Sequence, residues 1–295
     1  MQNNIINGER GQRMWLVYSA VSAFFAGLIP VFGKKALREV TAEFISFARN
    51  GSAFVFALIV LLITGDRPTL HFPSLLFFAL AGICELAAWL FTFRLIERCR
   101  LSVIAPLDKA TVATVFFLSY MSGIAAVTPR QFVASAVIAG GTLLIMFFAD
   151  SVRIDKETGF FLVAAHLFSA LSPVFSRAGL MQNRMSAYSG FFVRNLSGFI
   201  VSALILAFSF HRLWISRRSA KAVVLSILSG LSGAVSWIFY YLALYGANVG
   251  TVQAVAKLGF LVTLLLSRII YKEKIGKRVM IGYVIILSGV LILLF

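Results

Sequence analysis

The 295-residue sequence predicts an all-α polytopic membrane protein, with ten transmembrane helices arranged as two inverted five-helix repeats. Three observations carry this expectation. The composition is 60% hydrophobic and only 13% charged, where a soluble domain is about half apolar and about a quarter charged. Apolar runs of roughly 20 residues, enough to cross a bilayer, recur along the whole chain. The two halves also repeat each other residue for residue at several places. Together these exclude an ordinary soluble enzyme and a disordered chain.

Hydropathy places the first five spans at roughly 14–32, 42–63, 73–95, 101–121 and 131–148. A polar stretch follows, and five more spans run over roughly 159–180, 187–210, 222–246, 251–270 and 279–295. Strict alternation is absent, so these are helices rather than barrel strands. The first run follows Arg10 and Arg13 as a signal peptide would. Its only cleavage-like motif, Ala20–Ala23, comes too early, so it reads as an uncleaved span. The organisation expected is a first repeat over 1–149, a connecting loop over 150–158 and a second repeat over 159–295. Cys84 and Cys99 have no metal-ligand spacing and read as two small thiols.

The repeat pairs Pro30-Val31-Phe32 with Pro173-Val174-Phe175, and Arg49-Asn50-x-Ser52 with Arg194-Asn195-x-Ser197. It also pairs Trp89 with Trp237, Lys109 with Lys257, Arg130 with Arg278 and Gly141 with Gly289. An odd number of helices per repeat makes the second copy enter the membrane from the opposite side, the architecture of alternating-access transporters. The net charge of +16 lies mostly in loops on one face, among them Lys34, Lys35, Arg38, Arg153, Lys156, Arg217, Arg218 and Lys272. The positive-inside rule puts that face in the cytoplasm and both termini outside. Anionic lipid headgroups are the expected neighbours of those loops, and no basic soluble domain exists to hold nucleic acid.

These features resemble the drug/metabolite transporter superfamily in its EamA-type ten-helix form. The second half carries the resemblance best, in Tyr271-Lys272-Glu273-Lys274, Gly282 and Leu287-Ser288-Gly289-Val290; Ala125 stands where the first half would repeat Glu273. The resemblance implies cytoplasmic termini, opposite to the charge count. It also implies an integral protein of a bacterial inner (plasma) membrane. Lys109 and Lys257 add a narrower similarity to triose-phosphate and nucleotide-sugar transporters, which place basic residues in the same helices.

Charges at membrane depth are costly and functional by default. Those within spans are Arg49, Glu85, Asp108, Lys109, Arg194 and Lys257, a positive surplus that an anionic substrate, phosphorylated ones included, would neutralise. Lys109 and Lys257 are the expected direct contacts; snorkelling or pairing with Glu85 is the structural reading of the same lysines. Arg49, Arg194, Asn50 and Asn195 read as a clamp on backbone carbonyls of a neighbouring helix, or as substrate contacts. Glu85 and Asp108 are either carriers of a coupling proton or fixed counter-ions. Trp89, Trp237, Tyr240 and Tyr241 are expected to stack on a ligand. Pro30 and Pro173 are expected to kink or end their helices, and Gly230 and Gly233 to allow close helix packing.

No nucleotide-binding loop or metal-ligand cluster is present, so no cofactor is expected. The function expected is secondary active transport of a small organic anion, with an exchanged anion or proton as coupling partner. Export of amino acids or hydrophobic drugs is the alternative. An intramembrane enzyme acting on lipid-linked phosphate, built on His211 or Asp150, is the rival class.

Overall fold

The computed structural model describes residues 2–101, 104, 110–124, 126–148, 155–209, 219–273 and 276–294. All regular structure among them is helical: α1 Gln2–Ala36, α2 Ala42–Thr64, α3 Phe72–Arg98, α4 Thr111–Met121, α5 Pro129–Phe148, α6 Lys156–Met181, α7 Ala187–Phe208, α8 Ala220–Ala243, α9 Val249–Ala256, α10 Gly259–Ile270 and α11 Lys277–Leu294. Among the described residues, seven segments are long and apolar enough to cross a membrane, with α9 and α10 forming one of them; α4 and α5 supply shorter apolar helices. Large apolar side chains such as Ile59, Phe117, Val163, Leu204 and Leu265 face outward, as lipid contact requires. The chain is a polytopic all-α membrane protein.

Helix starts follow capping chemistry. Thr41 accepts the Phe44 N–H at the head of α2, and Ser186 accepts the Ser189 N–H at the head of α7. These are equivalent positions of the repeat. Asp155, Ser219 and Asn248 cap α6, α8 and α9 in the same way. Each satisfies a backbone donor that the helix itself leaves open.

The packing crosses between the halves. α1 lies on α8, α3 on α6, α5 on α11 and α2 on α7. Buried hydroxyls stitch these crossings: Ser229 donates to the Ile29 carbonyl at 3.0 Å, and Ser172 donates to the Ala81 carbonyl at 3.0 Å. Under the repeat the two bonds are the same contact with donor and acceptor exchanged. In the α5–α11 pair, Gly141 faces Gly282, and Arg130 reaches the Leu293 carbonyl at the far end. Rising numbers on one helix meet falling numbers on the other, so these helices are antiparallel. Small residues at such crossings let backbones approach closely.

Three expectations are altered. The ninth span is not one helix: it breaks at Lys257–Leu258, where the Leu258 N–H bonds Val255 and the Phe260 N–H bonds Lys257 in tight i to i+3 turns. No proline marks this break in the sequence. At the break α1 crosses so closely that a Cβ on Gly27 would sit 2.3 Å from the Gly259 carbonyl oxygen. Pro30 and Pro173 do not end their helices, which run on to Ala36 and Met181. Helix α6 begins at Lys156, inside the stretch expected as the connecting loop.

Candidate functional site

The site is built around one carboxylate. Glu85, midway along α3, takes Nη2 of Arg49 from α2 at 3.2 Å on Oε1, and Nη2 of Arg194 from α7 at 3.3 Å on Oε2. Two indoles complete the set. Trp89 Nε1 donates to Glu85 Oε1 at 2.7 Å, one helical turn away, and Trp237 Nε1 of α8 donates at 3.0 Å. Each guanidinium also lies over the indole of its own half: Arg49 is 4.7 Å from the Trp89 ring centre and Arg194 3.5 Å from that of Trp237. The two arginines and two tryptophans come from both halves in repeat-related pairs, Arg194 through charge alone and the other three through hydrogen bonds as well, whereas the carboxylate is single.

The arginines are held from behind. The Ser52 and Ser197 hydroxyls bond the Arg49 and Arg194 carbonyls within their own turns and reach carbonyls of the next helix, Ile227 and Ala79. The helices touch there because the facing residues are Gly230 and Gly82, where a Cβ would stand 2.3 and 2.0 Å from the Arg49 and Arg194 carbonyl oxygens. The expected clamp on neighbouring carbonyls therefore exists, but the serines make it. The guanidinium groups go to Glu85 instead, because each carries donors that a buried carboxylate satisfies with charge. Asn50 and Asn195 turn back on their own helices, to the Ser46 and Phe191 carbonyls.

Beside this cluster lies a cavity of about 130 Å³ between helices of the two halves. Glu85, Trp89, Trp237, Tyr240 and Lys257 all line it. Hydroxyls of Ser22, Ser169, Ser236, Thr92 and Thr263, with the amide of Gln253, give it a polar wall; Ile29, Pro30 and Phe260 give it an apolar one. Lys257 sits at the break between α9 and α10 and extends Nζ to the Ser169 hydroxyl at 3.2 Å. The Tyr240 hydroxyl is buried with no hydrogen-bond partner, while its ring packs on Trp237 at 4.8 Å.

The structure thus gathers Lys257, Tyr240, Trp89, Trp237 and Glu85 at one cavity. Tyr241 does not join them. It is fully buried in the apolar core and bonds Ser176 at 3.0 Å, because neighbours on a helix point about 100° apart. Asp108 and Lys109 lie outside the described residues. The cavity serines and Gln253 went unnoticed in the sequence, their only signal being small polar residues inside apolar runs.

Next to Leu101 of the cavity wall lies a contact that the sequence left unpaired. Lys34, at the end of α1, meets Glu273 at 2.6 Å, and the same carboxylate oxygen accepts the N–H of Leu101, a cavity-lining residue, at 3.3 Å. The Tyr271 hydroxyl bonds the Val31 carbonyl at 2.6 Å beside it, and Lys34 lies 5.1 Å from the Tyr271 ring.

A polytopic helical protein with a polar, aromatic-walled cavity between its two halves has the form of a membrane transporter. The profile of the EamA-like transporter family matches residues 13–147 and again 158–295, and the chain belongs to that family. A protein from Sinorhizobium sp., named as an uncharacterized transporter in the cobO 3' region, is 28% identical over 138 residues. That alignment covers 45% of this chain and 97% of the relative. A solved crystal structure shares the fold with a TM-score of 0.73 at 12% identity, over 95% of this chain and 96% of its own.

Proposed function

We propose that the protein is a secondary active transporter that carries a small organic anion by alternating access through this cavity. The observation that carries the reading is Lys257 on the cavity wall, opposite a Glu85 side chain already engaged by two arginines behind it. An ionisable residue at membrane depth marks a substrate or ion pathway, and an anion entering the cavity would meet the Lys257 ammonium there. The volume favours a compact metabolite over a hydrophobic drug, since drug-sized sites run from about 300 Å³ upward. Lys109, the repeat partner of Lys257, is proposed as the matching contact. In this reading the Lys34–Glu273 contact closes one face and must open for substrate to leave there. The positive-rich loops would face the cytoplasm of a bacterial inner membrane.

Counterflow in liposomes without ATP tests the proposal, using labelled phosphorylated sugars, carboxylates and amino acids. Uptake of an anion without chemical change is expected, with Lys257→Gln reducing it about tenfold or more, as for a direct charge-assisted contact. Product formation would favour an enzyme instead. A zwitterionic amino acid is the second reading, favoured by the Glu85 side chain, 12% exposed toward the cavity. Exchange of amino acids alone would select it.

A further inference from the structure

A hydroxyl carries one proton and two acceptor lone pairs. Once its proton is bonded inside the protein, it can offer a ligand only an acceptor. Four hydroxyls of the cavity wall are in that state. Thr92 donates to the Ala88 carbonyl at 2.7 Å, and Thr263 to the Gly27 carbonyl at 2.8 Å. Ser236 donates to the Ser22 carbonyl at 2.8 Å, which makes Ser22 the donor in the 3.1 Å contact between the two hydroxyls. The wall that looks polar is therefore a wall of acceptors.

The charged acceptor beside them is Glu85, and it is single. The offset of 148 that relates Trp89 to Trp237 takes Thr92 to Tyr240, also on the wall, but takes Glu85 to Gly233, which has no side chain. Arg49 and Arg194 already lie 3.2 and 3.3 Å from this one carboxylate, and each guanidinium occupies a face of its indole. An ammonium brought to Glu85 would be a third cation beside one anion. A neutral O–H meets no such repulsion. Among the described residues, Lys257 is the only cation that lines the cavity.

We propose that the substrate is a small hydroxylated anion, whose acid group lies toward Lys257 and whose hydroxyl groups donate to the oxygens of this wall, Thr92 and Ser236 among them. The inference rests on the anion-transport reading and gives the rest of the anion its chemistry. An apolar chain would strip water from these oxygens and return no hydrogen bond. A site built to bond a substrate hydroxyl rejects the analogue that lacks it. The cavity of about 130 Å³ is close to the roughly 150 Å³ that holds benzene, which limits the substrate to a short carbon chain. Thr92 and Ser236 are then specificity-determining residues, acting through their lone pairs.

The test reads binding, so its failure is separable from that of the transport reading. The unfolding temperature of the purified protein is titrated at fixed ionic strength with propionate, lactate and glycerate, which share one charge and carry none, one and two hydroxyls. Propyl phosphate and glycerol phosphate form a second series that tells which acid group is accepted, and alanine and serine form a zwitterionic arm. A ligand that binds the native state raises that temperature saturably. Each added hydroxyl is expected to tighten apparent affinity about three- to tenfold in the series that binds, as a net hydrogen bond does. Thr92→Val, which removes one acceptor, is expected to cut the affinity for the hydroxylated member about three- to tenfold and to leave its apolar analogue unchanged. Should that variant fail to fold, Ser236→Ala is put through the same comparison. Equal binding of hydroxylated and apolar anions would overturn the inference and leave the anion-transport reading standing. It is also overturned if only the amino acids bind, if no compound binds, or if the variant weakens both members of a pair alike.

Discussion

Trp237 donates its indole N–H to Glu85 across 3.0 Å, a part-buried bond that joins α8 of the second half to α3 of the first. Trp89 donates to the same carboxylate oxygen. A hydrogen bond to a charged group contributes about 1.5–3 kcal/mol, so Trp237→Phe and Trp89→Phe should each lower stability by about that much. The phenylalanines keep a ring under each arginine, which isolates the lost N–H. Because both donors share one acceptor, the double variant should depart from the sum of the singles. Denaturant unfolding of the four proteins checks this; a strictly additive cycle would contradict the shared acceptor.

The charge cluster predicts an order of sensitivity. Arg49→Gln or Arg194→Gln leaves one arginine facing one glutamate, a balanced pair. Glu85→Gln leaves two buried guanidinium groups with no counter-charge. Losing a buried partner costs about 3–5 kcal/mol, and Glu85→Gln should therefore be the most damaging of the three by unfolding midpoint. If either arginine substitution proves worse, the balance of charge is not what the cluster's stability rests on.

Gly82 and Gly230 hold the two halves at backbone contact. Gly82→Ala and Gly230→Ala should each destabilise by about 1–3 kcal/mol or more, the range for overpacking. A Cβ at either meets a carbonyl that cannot swing aside. Gly140, which has nothing within 4 Å of an added Cβ, is the control, and Gly140→Ala should leave the unfolding temperature unchanged or slightly higher. Similar losses at all three positions would refute the argument.

Asp66, in the turn between α2 and α3, predicts a pH dependence. Burial by itself would raise its carboxyl. Hydrogen bonds from the Ser186 and Ser189 hydroxyls, and from the backbone N–H groups of Arg67 and Ser189, outweigh it and hold the group below the usual aspartate value. A native-state value below the unfolded one stabilises fully above the unfolded value of about 3.9 and is lost as pH falls through the native one. Unfolding temperature should therefore drop below about pH 4, and Asp66→Asn should flatten that part of the profile. An unchanged profile in the variant would assign the acid sensitivity elsewhere.

Spans, repeat and most of the central residues were legible because their signals are local or periodic. Apolar runs mark the helices, and Arg49/Arg194 with Trp89/Trp237 announce themselves by recurring. The partner of each arginine was not legible, since Glu85 has no repeat mate and meets α2 and α7 only in three dimensions. Tyr240 and Tyr241 were indistinguishable as letters, yet a turn of about 100° sends one to the cavity and the other to the core. The break at Lys257 carried no proline. It became visible only with α1 crossing at Gly27.

The unequal pair Glu85 and Gly233 bears on how such a protein is encoded. Two identical five-helix chains, assembled face to face in opposite orientations, would carry two glutamates here or two glycines. Their arginines would be matched exactly or left wholly bare. One of each requires two different five-helix halves, which this single chain supplies.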